Sequence, residues 1–408
     1  MFSRKTAIAA MFALYGLVAF VTTLAAPLAT VWKAQPEIAG SNALAMLGNL
    51  MNYLAYLVMG IPAGIVLNKF GYKKTAVIGC LVGGVGIVVQ RLSGVSSNGF
   101  PIYLLGAFTS GVALCLLNVV VNPMLNTLGG GGSGGNRLNM LGGTFNSFCG
   151  ALTPLLVGVL IGSVTKRTSL ADVYPVLYIA MAVFFVAALV LALLPLPERL
   201  PASGKALGKS PLAYPHCRWG VLGVFLFMGT SIGIAGTLNL WLVSLGHSAA
   251  TGGFFFSAYV LLMLVGRLLA SSFAQKIPVR SMLAGASASA LILLILGVFL
   301  AGITVKVPVL AGSSLELVAV PLTAPLLVCC GLFTSVMWSS IFALSVEGLG
   351  EATASASGWF MTMVAGGGLI PLFQNFIADQ AGFRVSYIVP ALVFVYLLAY
   401  SFKLSKVR

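Results

Sequence analysis

Residues 116–150 read LLNVVVNPMLNTLGGGGSGGNRLNMLGGTFNSFCG. Two apolar stretches flank a run rich in glycine. This pattern predicts the second half of one membrane helix, a flexible linker over Gly129–Gly135 and the first half of the next helix. The glycine run lacks the GK[ST] ending of a phosphate-binding loop, so we predict no nucleotide site there.

Asparagine side chains interrupt the apolar background of both predicted helices. Asn118, Asn122 and Asn126 are four apart and share one helical face, and Asn146 lies seven residues after Asn139. Carboxamides at bilayer depth are costly unless they face other helices or a water-filled path. The pattern predicts helices that line the path of a membrane transporter. Hydrogen bonding between helices is the alternative for each asparagine.

The composition of the whole chain agrees with a membrane protein. Of its 408 residues, 59% are apolar and 7% charged, and the mean hydropathy is +1.06. Because one span needs about 20 apolar residues, we predict an all-α membrane protein with twelve transmembrane helices. The predicted spans cover residues 6–31, 42–67, 73–92, 100–128, 137–163, 172–195, 217–245, 250–275, 281–303, 318–347, 352–378 and 384–403.

The longest polar connector separates spans six and seven. We therefore predict an N-terminal six-helix bundle over residues 1–195, a cytoplasmic linker over 196–216 and a C-terminal six-helix bundle over 217–408. The halves are weakly repeated, since a basic segment follows both span two (NKFGYK, 68–73) and span eight (QKIPVR, 275–280). Two parallel repeats predict pseudo-symmetric bundles with a substrate site near the bilayer midplane.

The chain has a net charge of +15. In a soluble protein this charge would suggest nucleic acid, but here the basic residues lie in short loops, so we predict no nucleic-acid partner. With a cytoplasmic N-terminus, sixteen of the 22 lysines and arginines fall on the inner side. We predict a monomer in the lipid bilayer of a bacterial-type cytoplasmic (inner) membrane, with both termini cytoplasmic.

Acidic residues are few, and all lie at the ends of predicted spans or in loops. They are Glu37, Asp172, Glu198, Glu316, Glu347, Glu351 and Asp379. The six cysteines have no metal-ligand spacing. We find no nucleophile–base pair and therefore predict no enzyme activity, no catalytic residue, no metal and no cofactor.

Several motifs carry a resemblance to a known family. The segment GIVLNKFGYKK (64–74) resembles the signature loop of the major facilitator superfamily, with Asn68 where that pattern usually has aspartate. Four further blocks are similar to the fucose–galactose–glucose:proton symporter family. They are NP (122–123), TFNSF (144–148), FALSVEGLG (342–350) and GGLIPLFQ (367–374).

The resemblance implies a major facilitator fold and monosaccharide transport by alternating access. It also implies an acid in span four, where Asn118 stands, and one in span one, where Thr23 stands. In span seven, Ser231 occupies a position where relatives often carry glutamate. A proton-coupled carrier needs a midplane group whose charge changes, and these side chains do not titrate. We therefore predict a proton-independent uniporter.

The predicted substrate-binding residues combine carboxamides, which donate and accept as sugar hydroxyls do, with aromatic rings for the apolar faces of a pyranose. They are Asn118, Asn146, Asn122, Thr23, Asn239, Tyr259, Trp338 and Gln374. Packing is the alternative for the aromatic residues, and Asn122 has the alternative of bonding backbone released by Pro123. The resemblance implies a conformational gate in which the basic loop clamps helix ends. It comprises Gly64, Asn68, Lys69, Gly71, Lys73 and Arg267.

Three other functions stay open. A cation-coupled sugar symporter would need sodium held by carbonyls and neutral oxygens. A carrier of another small polar solute fits the departures at Asn118 and Thr23. A sugar sensor without flux is disfavoured, because such proteins usually carry long cytoplasmic extensions.

Overall fold

The computed structural model describes residues 4–33, 35, 47–96, 99–161, 170–196, 210–247, 249–311 and 314–407. In chain order, the first helices are α1 (Arg4–Lys33), α2 (Leu47–Leu92), α3 (Gly99–Leu128), α4 (Gly132–Ile161), α5 (Tyr174–Leu193), α6 (Pro215–Ser244), α7 (Ala249–Phe273) and α8 (Val279–Phe299). Strands β1 (Thr304–Ala311) and β2 (Ser314–Pro321) follow. The last helices are α9 (Thr323–Thr334), α10 (Met337–Ser345), α11 (Thr353–Met363), α12 (Gly366–Ala381), α13 (Phe383–Ser386) and α14 (Ile388–Ala399).

Within this described chain, ten segments are long and apolar enough to cross a membrane. One of them, Leu50–Val95, has 46 residues. It bends at Gly71, whose φ of 78° and ψ of 177° break the helix. A positive φ strains residues with a Cβ, and glycine avoids this strain. The bend at Gly71 therefore divides the segment into the second and third predicted spans.

The predicted spans nine and ten end at residue 303 and begin at residue 318, and the structure forms two strands across this connection. Strands β1 and β2 form an antiparallel hairpin in which Val305 pairs with Val320 and Val309 with Glu316. Val309 and Val320 are buried, while Lys306 and Glu316 are exposed. This alternation of β-branched and polar residues is a strand pattern. The tenth predicted span therefore begins too early, because residues 318–321 belong to the hairpin.

The connector between α3 and α4 is shorter than the predicted linker over Gly129–Gly135. Helix α4 begins at Gly132, so only residues 129–131 separate it from α3. Gly130 and Gly131 have φ values of 85° and 73°, and no atom would lie within 4 Å of a Cβ at either position. The turn needs glycine for its backbone conformation.

The described residues group into two compact units. The first unit comprises Met1–Leu128, Phe145–Gly208 and Leu349–Met363, and the second comprises Gly129–Thr144, Lys209–Gly348 and Val364–Arg408. Each unit thus contains one segment from the other half of the sequence. Most of the predicted linker, residues 197–209, lies outside the described residues, and the predicted boundaries at 195 and 217 stay a prediction.

Helix α3 forms the core of the first unit and packs against α1 and α2. From Ala113 to Asn126, every α3 residue except Asn118 is buried. In the second unit, α6 packs against α7, α10 and α12. These two helices carry Asn118, Asn122, Thr230 and Thr237, which are described next.

Candidate functional site

Tyr15 of α1 connects two of the predicted carboxamides in the first unit. Its hydroxyl donates to Oδ1 of Asn122 at 2.5 Å, and its backbone oxygen accepts from Nδ2 of Asn146 at 2.8 Å. Asn122 is 1% exposed, and its Nδ2 donates to the Asn118 carbonyl at 3.0 Å. These contacts favour a structural role for Asn122, which fixes α1 against α3. Tyr15 has no polar neighbour in sequence that would have indicated this role.

Asn118 is paired with Tyr56 of α2. Its Nδ2 donates to the Tyr56 hydroxyl at 2.8 Å and to the Leu114 carbonyl at 3.0 Å. Among the described residues, no donor reaches Oδ1 of Asn118 and no acceptor takes the Tyr56 hydroxyl proton. The pair therefore presents one acceptor and one donor side by side, at the partly exposed position of an otherwise buried helix segment. We call Asn118, Tyr56, Asn122, Tyr15 and Asn146 the carboxamide cluster.

Thr23 lies two turns after Tyr15 on α1. Its hydroxyl donates to the Ala19 carbonyl at 2.6 Å, as threonines in helices often do. A Cβ at Gly150 of α4 would lie 3.5 Å from Cγ2 of Thr23. Thr23 therefore faces the same helix as Asn146, with its hydroxyl bonded within α1.

In the second unit, Gln374 of α12 is fully buried, and neither of its amide atoms has a hydrogen-bond partner. Its amide lies against Gly233 of α6, where a Cβ would be 2.4 Å from Oε1. A buried polar atom without a partner costs about 1–3 kcal/mol. Such atoms call for an explanation, and a bound polar ligand is one of them.

Two threonines that sequence reasoning missed lie on the same helix as Gly233. Thr230 and Thr237 are seven residues apart on α6, are fully buried and have unpartnered hydroxyls. Their spacing places them on one helical face, within about 60° of Gly233. The spacing could have indicated them, but threonine is common in membrane helices, where its hydroxyl bonds the preceding turn. We call Gln374, Thr230 and Thr237 the unpartnered cluster.

The other predicted binding residues of the second unit are Asn239, Tyr259 and Trp338. Oδ1 of Asn239 is buried without a hydrogen-bond partner and faces α7, where a Cβ at Gly252 would lie 1.9 Å from it. The Tyr259 hydroxyl bonds Oγ1 of Thr334 at 2.8 Å, and Tyr259 is buried. Trp338 is half-buried in the first turn of α10. The contact favours packing for Tyr259, while Asn239 and Trp338 stay candidates.

The predicted gate residues of the first unit lie where α2 meets α11. Nδ2 of Asn68 donates to Oγ of Ser355 at 2.7 Å. A Cβ at Gly358 would lie 3.2 Å from Cα of Gly64, so the two helices approach closely there. Lys69 lies 5.5 Å from the centre of the Phe70 ring, and Lys73 makes no ion pair with the described residues. The contact between α2 and α11 is therefore built from neutral groups.

Arg267 of α7 holds the first part of α4 in the second unit. Its Nη1 donates to the Gly143 carbonyl at 2.7 Å and its Nε to the Ser335 carbonyl at 3.2 Å. Arg137 of α4 reaches back to the Ser271 carbonyl at 3.1 Å. Here the two helices are joined by charged donors and backbone acceptors.

The acids in the described part of the chain lie at helix ends, in 3-10 turns or in the hairpin. Glu347 follows α10 and pairs with Arg280 at 3.5 Å, and Asp379 lies in the last turn of α12. Asp172, Glu351 and Glu316 lie in 3-10 turns and in β2. Glu37 and Glu198 lie outside the described residues. Where the structure describes them, the acids thus follow the sequence prediction.

The fold and these polar clusters define a polytopic membrane protein of the carrier class. The sequence profile of the Major Facilitator Superfamily matches residues 6–371, and the chain belongs to this family. The family is one of transporters and not of enzymes, in agreement with the sequence prediction.

Comparisons with individual proteins show which members of this family the chain resembles. The chain is 27% identical over 363 residues to a glucose/galactose transporter of Brucella abortus, covering 86% of this chain and 83% of the relative. It is 24% identical over 380 residues to the L-fucose-proton symporter of Escherichia coli, covering 86% and 82%. The crystal structure of the Escherichia coli fucose:proton symporter superposes with a TM-score of 0.82 at 20% identity, covering 98% of both chains. The resemblance to the fucose–galactose–glucose transporters is therefore confirmed.

Proposed function

We propose that the chain carries a hexose such as glucose, galactose or fucose across a membrane by alternating access, as a uniporter. The relatives named as glucose/galactose and fucose transporters support the substrate class. The observation that carries the proposal is Asn118, the partly exposed residue in the buried segment from Ala113 to Asn126 of α3. Its position is where the resemblance implies a coupling acid.

The pair of Asn118 and Tyr56 suits a sugar hydroxyl. A hydroxyl donates one hydrogen bond and accepts others, and the pair offers Oδ1 of Asn118 as acceptor and the Tyr56 proton as donor. Each uncharged hydrogen bond contributes about 0.5–1.5 kcal/mol, which suits a carrier that must release its cargo. We assign further residues to substrate binding, each in its own unit: Asn146, Thr23, Trp338, Gln374 and Asn239.

Uniport follows from the chemistry of the same position. Asparagine has no proton to give or take near neutral pH, and the described acids lie at helix ends, in turns or in the hairpin. A proton that crosses with the sugar needs a titrating group along the path. Because the described residues place no acid in either cluster, we infer that the sugar gradient alone drives flux.

The membrane arrangement is part of the proposal. Ten apolar segments are long enough to span a membrane, and one of them, Leu50–Val95, is long enough for two spans. Helix α4 (Gly132–Ile161) adds one more, which gives twelve. We place them in two six-helix bundles of a monomer in the cytoplasmic (inner) membrane. Both termini are cytoplasmic, because this orientation puts most of the lysines and arginines inside.

Alternating access requires contacts that break and reform. We assign this role to the contact of Asn68 and Gly64 with α11 and to the contact of Arg267 with α4, together with Gly71, Lys69 and Lys73 of the basic loop. Asn68 binds Ser355 through a neutral hydrogen bond. Such a bond is weaker than the charge-assisted bond that an aspartate would make, so this gate opens at a lower cost.

A thermal-shift screen of the purified protein against monosaccharides tests the substrate class, because a ligand that binds the folded state raises the melting temperature. We expect glucose, galactose or fucose to raise it, and we expect proteoliposomes to exchange the same sugar. A shift with another polar solute and none with hexoses would instead support a carrier of that solute. Binding without exchange would support a sensor.

A cation-coupled symporter is the second candidate, since one relative is an L-fucose-proton symporter. Sodium is separable from protons by replacing it with choline on both sides of the proteoliposome membrane. We expect unchanged hexose exchange and net uptake. Uptake that stops without sodium would favour the symporter.

A further inference from the structure

Arg91 lies at the end of α2, next to the beginning of α5, and is stacked on tyrosines. Its Cζ lies 3.6 Å from the centre of the Tyr174 ring and 5.7 Å from that of Tyr178. Its Nε donates to the Tyr178 hydroxyl at 3.0 Å. Stacking and the hydrogen bond together fix the guanidinium plane in one orientation.

Within the described part of the chain, the outer edge of this guanidinium is free for a ligand. Among the described residues, no carboxylate pairs with Arg91 and no acceptor binds its two terminal nitrogens. Those nitrogens form a fork that matches two oxygens of a phosphate. An arginine whose orientation is already fixed loses little side-chain entropy when it binds such a group.

The surface beside Arg91 is apolar. On α5, an exposed stripe runs from the arginine along the helix through Ile179, Val183, Val186 and Leu189 to Leu193, which is 76% exposed. At the end of α2, Leu92 is 50% exposed. A cation with tyrosines at the end of an apolar helix face is the arrangement expected at a membrane–water interface.

We propose that Arg91, Tyr174 and Tyr178 bind the phosphate headgroup of an anionic glycerophospholipid, whose acyl chain lies along the apolar stripe of α5. The charge selects an anionic lipid over a zwitterionic one, because the choline of phosphatidylcholine brings a second positive charge next to the arginine. The stripe favours a lipid over free phosphate, because only a lipid buries it. This site is independent of the sugar transport proposed above.

Native mass spectrometry of the purified full chain tests the site with dioleoylphosphatidylglycerol, dioleoylphosphatidylcholine and inorganic phosphate as probes. We expect the wild type to retain phosphatidylglycerol in preference to phosphatidylcholine. Arg91→Gln should lower the apparent affinity for phosphatidylglycerol about tenfold, the effect of a lost charge-assisted bond. Arg384→Gln is the matched control, since it removes an exposed arginine at the end of another helix, and it should leave retention unchanged.

Two further variants separate positioning from charge. Tyr178→Phe keeps the ring but removes the acceptor of Nε, and we expect about a threefold loss. Arg91→Lys keeps the charge without the planar fork and should fall between wild type and Arg91→Gln. Equal retention in Arg91→Gln and Arg384→Gln, equal binding of the two lipids, or displacement of the lipid by millimolar phosphate would each overturn the proposal.

Discussion

The carboxamide cluster of the first unit and the unpartnered cluster of the second unit contain similar polar groups, which differ in whether they have hydrogen-bond partners. In the first, Asn122 and Asn146 are held by Tyr15, and Asn118 is held by Tyr56. In the second, Gln374, Thr230 and Thr237 are buried without a partner. The first cluster is therefore already oriented in the absence of sugar, while the second gains its first hydrogen bonds only from a ligand or water.

This difference separates stability from transport. Removing a group that is already bonded costs folding free energy, whereas replacing an unpartnered buried amide with an apolar side chain of similar size does not. Removing either kind of group from a sugar site weakens sugar binding. Substitutions in the carboxamide cluster should thus lower both stability and transport, whereas substitutions in the unpartnered cluster should lower transport alone.

Asn118→Ala should have the largest effect on transport. It removes the free acceptor Oδ1 and the donor that holds the Tyr56 hydroxyl. The loss of about two hydrogen bonds, one of which leaves a partner unpaired, amounts to roughly 100-fold in hexose exchange. Proteoliposome counterflow with a labelled hexose measures it. Wild-type exchange in folded Asn118→Ala would remove this residue from the site.

Gln374→Leu should lower hexose exchange about tenfold. Because the amide has no partner in the folded protein, the melting temperature should stay equal to that of the wild type or rise. Thermal unfolding of the detergent-solubilised protein provides the second measurement. A lower melting temperature with normal exchange would mean that the Gln374 amide is structural.

Gly233→Ala tests the position of the same amide without changing it. The added Cβ would lie 2.4 Å from Oε1 of Gln374 and would displace the side chain, so exchange should fall about threefold to tenfold. Gly236→Ala is the matched control on α6, since no atom lies within 4 Å of its Cβ. Equal exchange in the two variants would contradict the role of Gln374.

Asn122→Leu should have the smallest effect on transport and a clear effect on stability. It removes the acceptor of the Tyr15 hydroxyl and the bond to the Asn118 carbonyl, which destabilises the fold by about 1–3 kcal/mol. We expect a lower melting temperature and a half-saturation concentration within about threefold of wild type. Asn126→Leu, one turn after Asn122 on the same face of α3, should not lower the melting temperature, because Oδ1 of Asn126 is unpartnered.

The sequence is sufficient to predict most helices, because apolar runs of span length have few alternatives in a membrane. Span four, predicted at 100–128, is Gly99–Leu128 in the structure. The prediction is wrong where apolar runs are not helical. Residues 318–321 are as apolar as a helix end but pair with β1, since strand pairing depends on residues that are distant in sequence.

For the candidate site, the carboxamides were predictable and their partners were not. Asn118, Asn122 and Asn146 stand out because polar residues are rare in this chain. Tyr15 and Tyr56 lie in α1 and α2, and only the packing of these helices on α3 and α4 brings their hydroxyls and carbonyls to the carboxamides. Thr230 and Thr237 are distinguished by unsatisfied hydroxyls, which no sequence pattern reveals.

The most direct test of the uniporter proposal is uptake of a labelled hexose into proteoliposomes at equal pH on both sides, with and without a protonophore. We predict that the sugar equilibrates at the same rate in both conditions and does not accumulate when an inward proton gradient is imposed. Accumulation that follows the imposed gradient and collapses with the protonophore would show proton coupling and contradict the role assigned to Asn118.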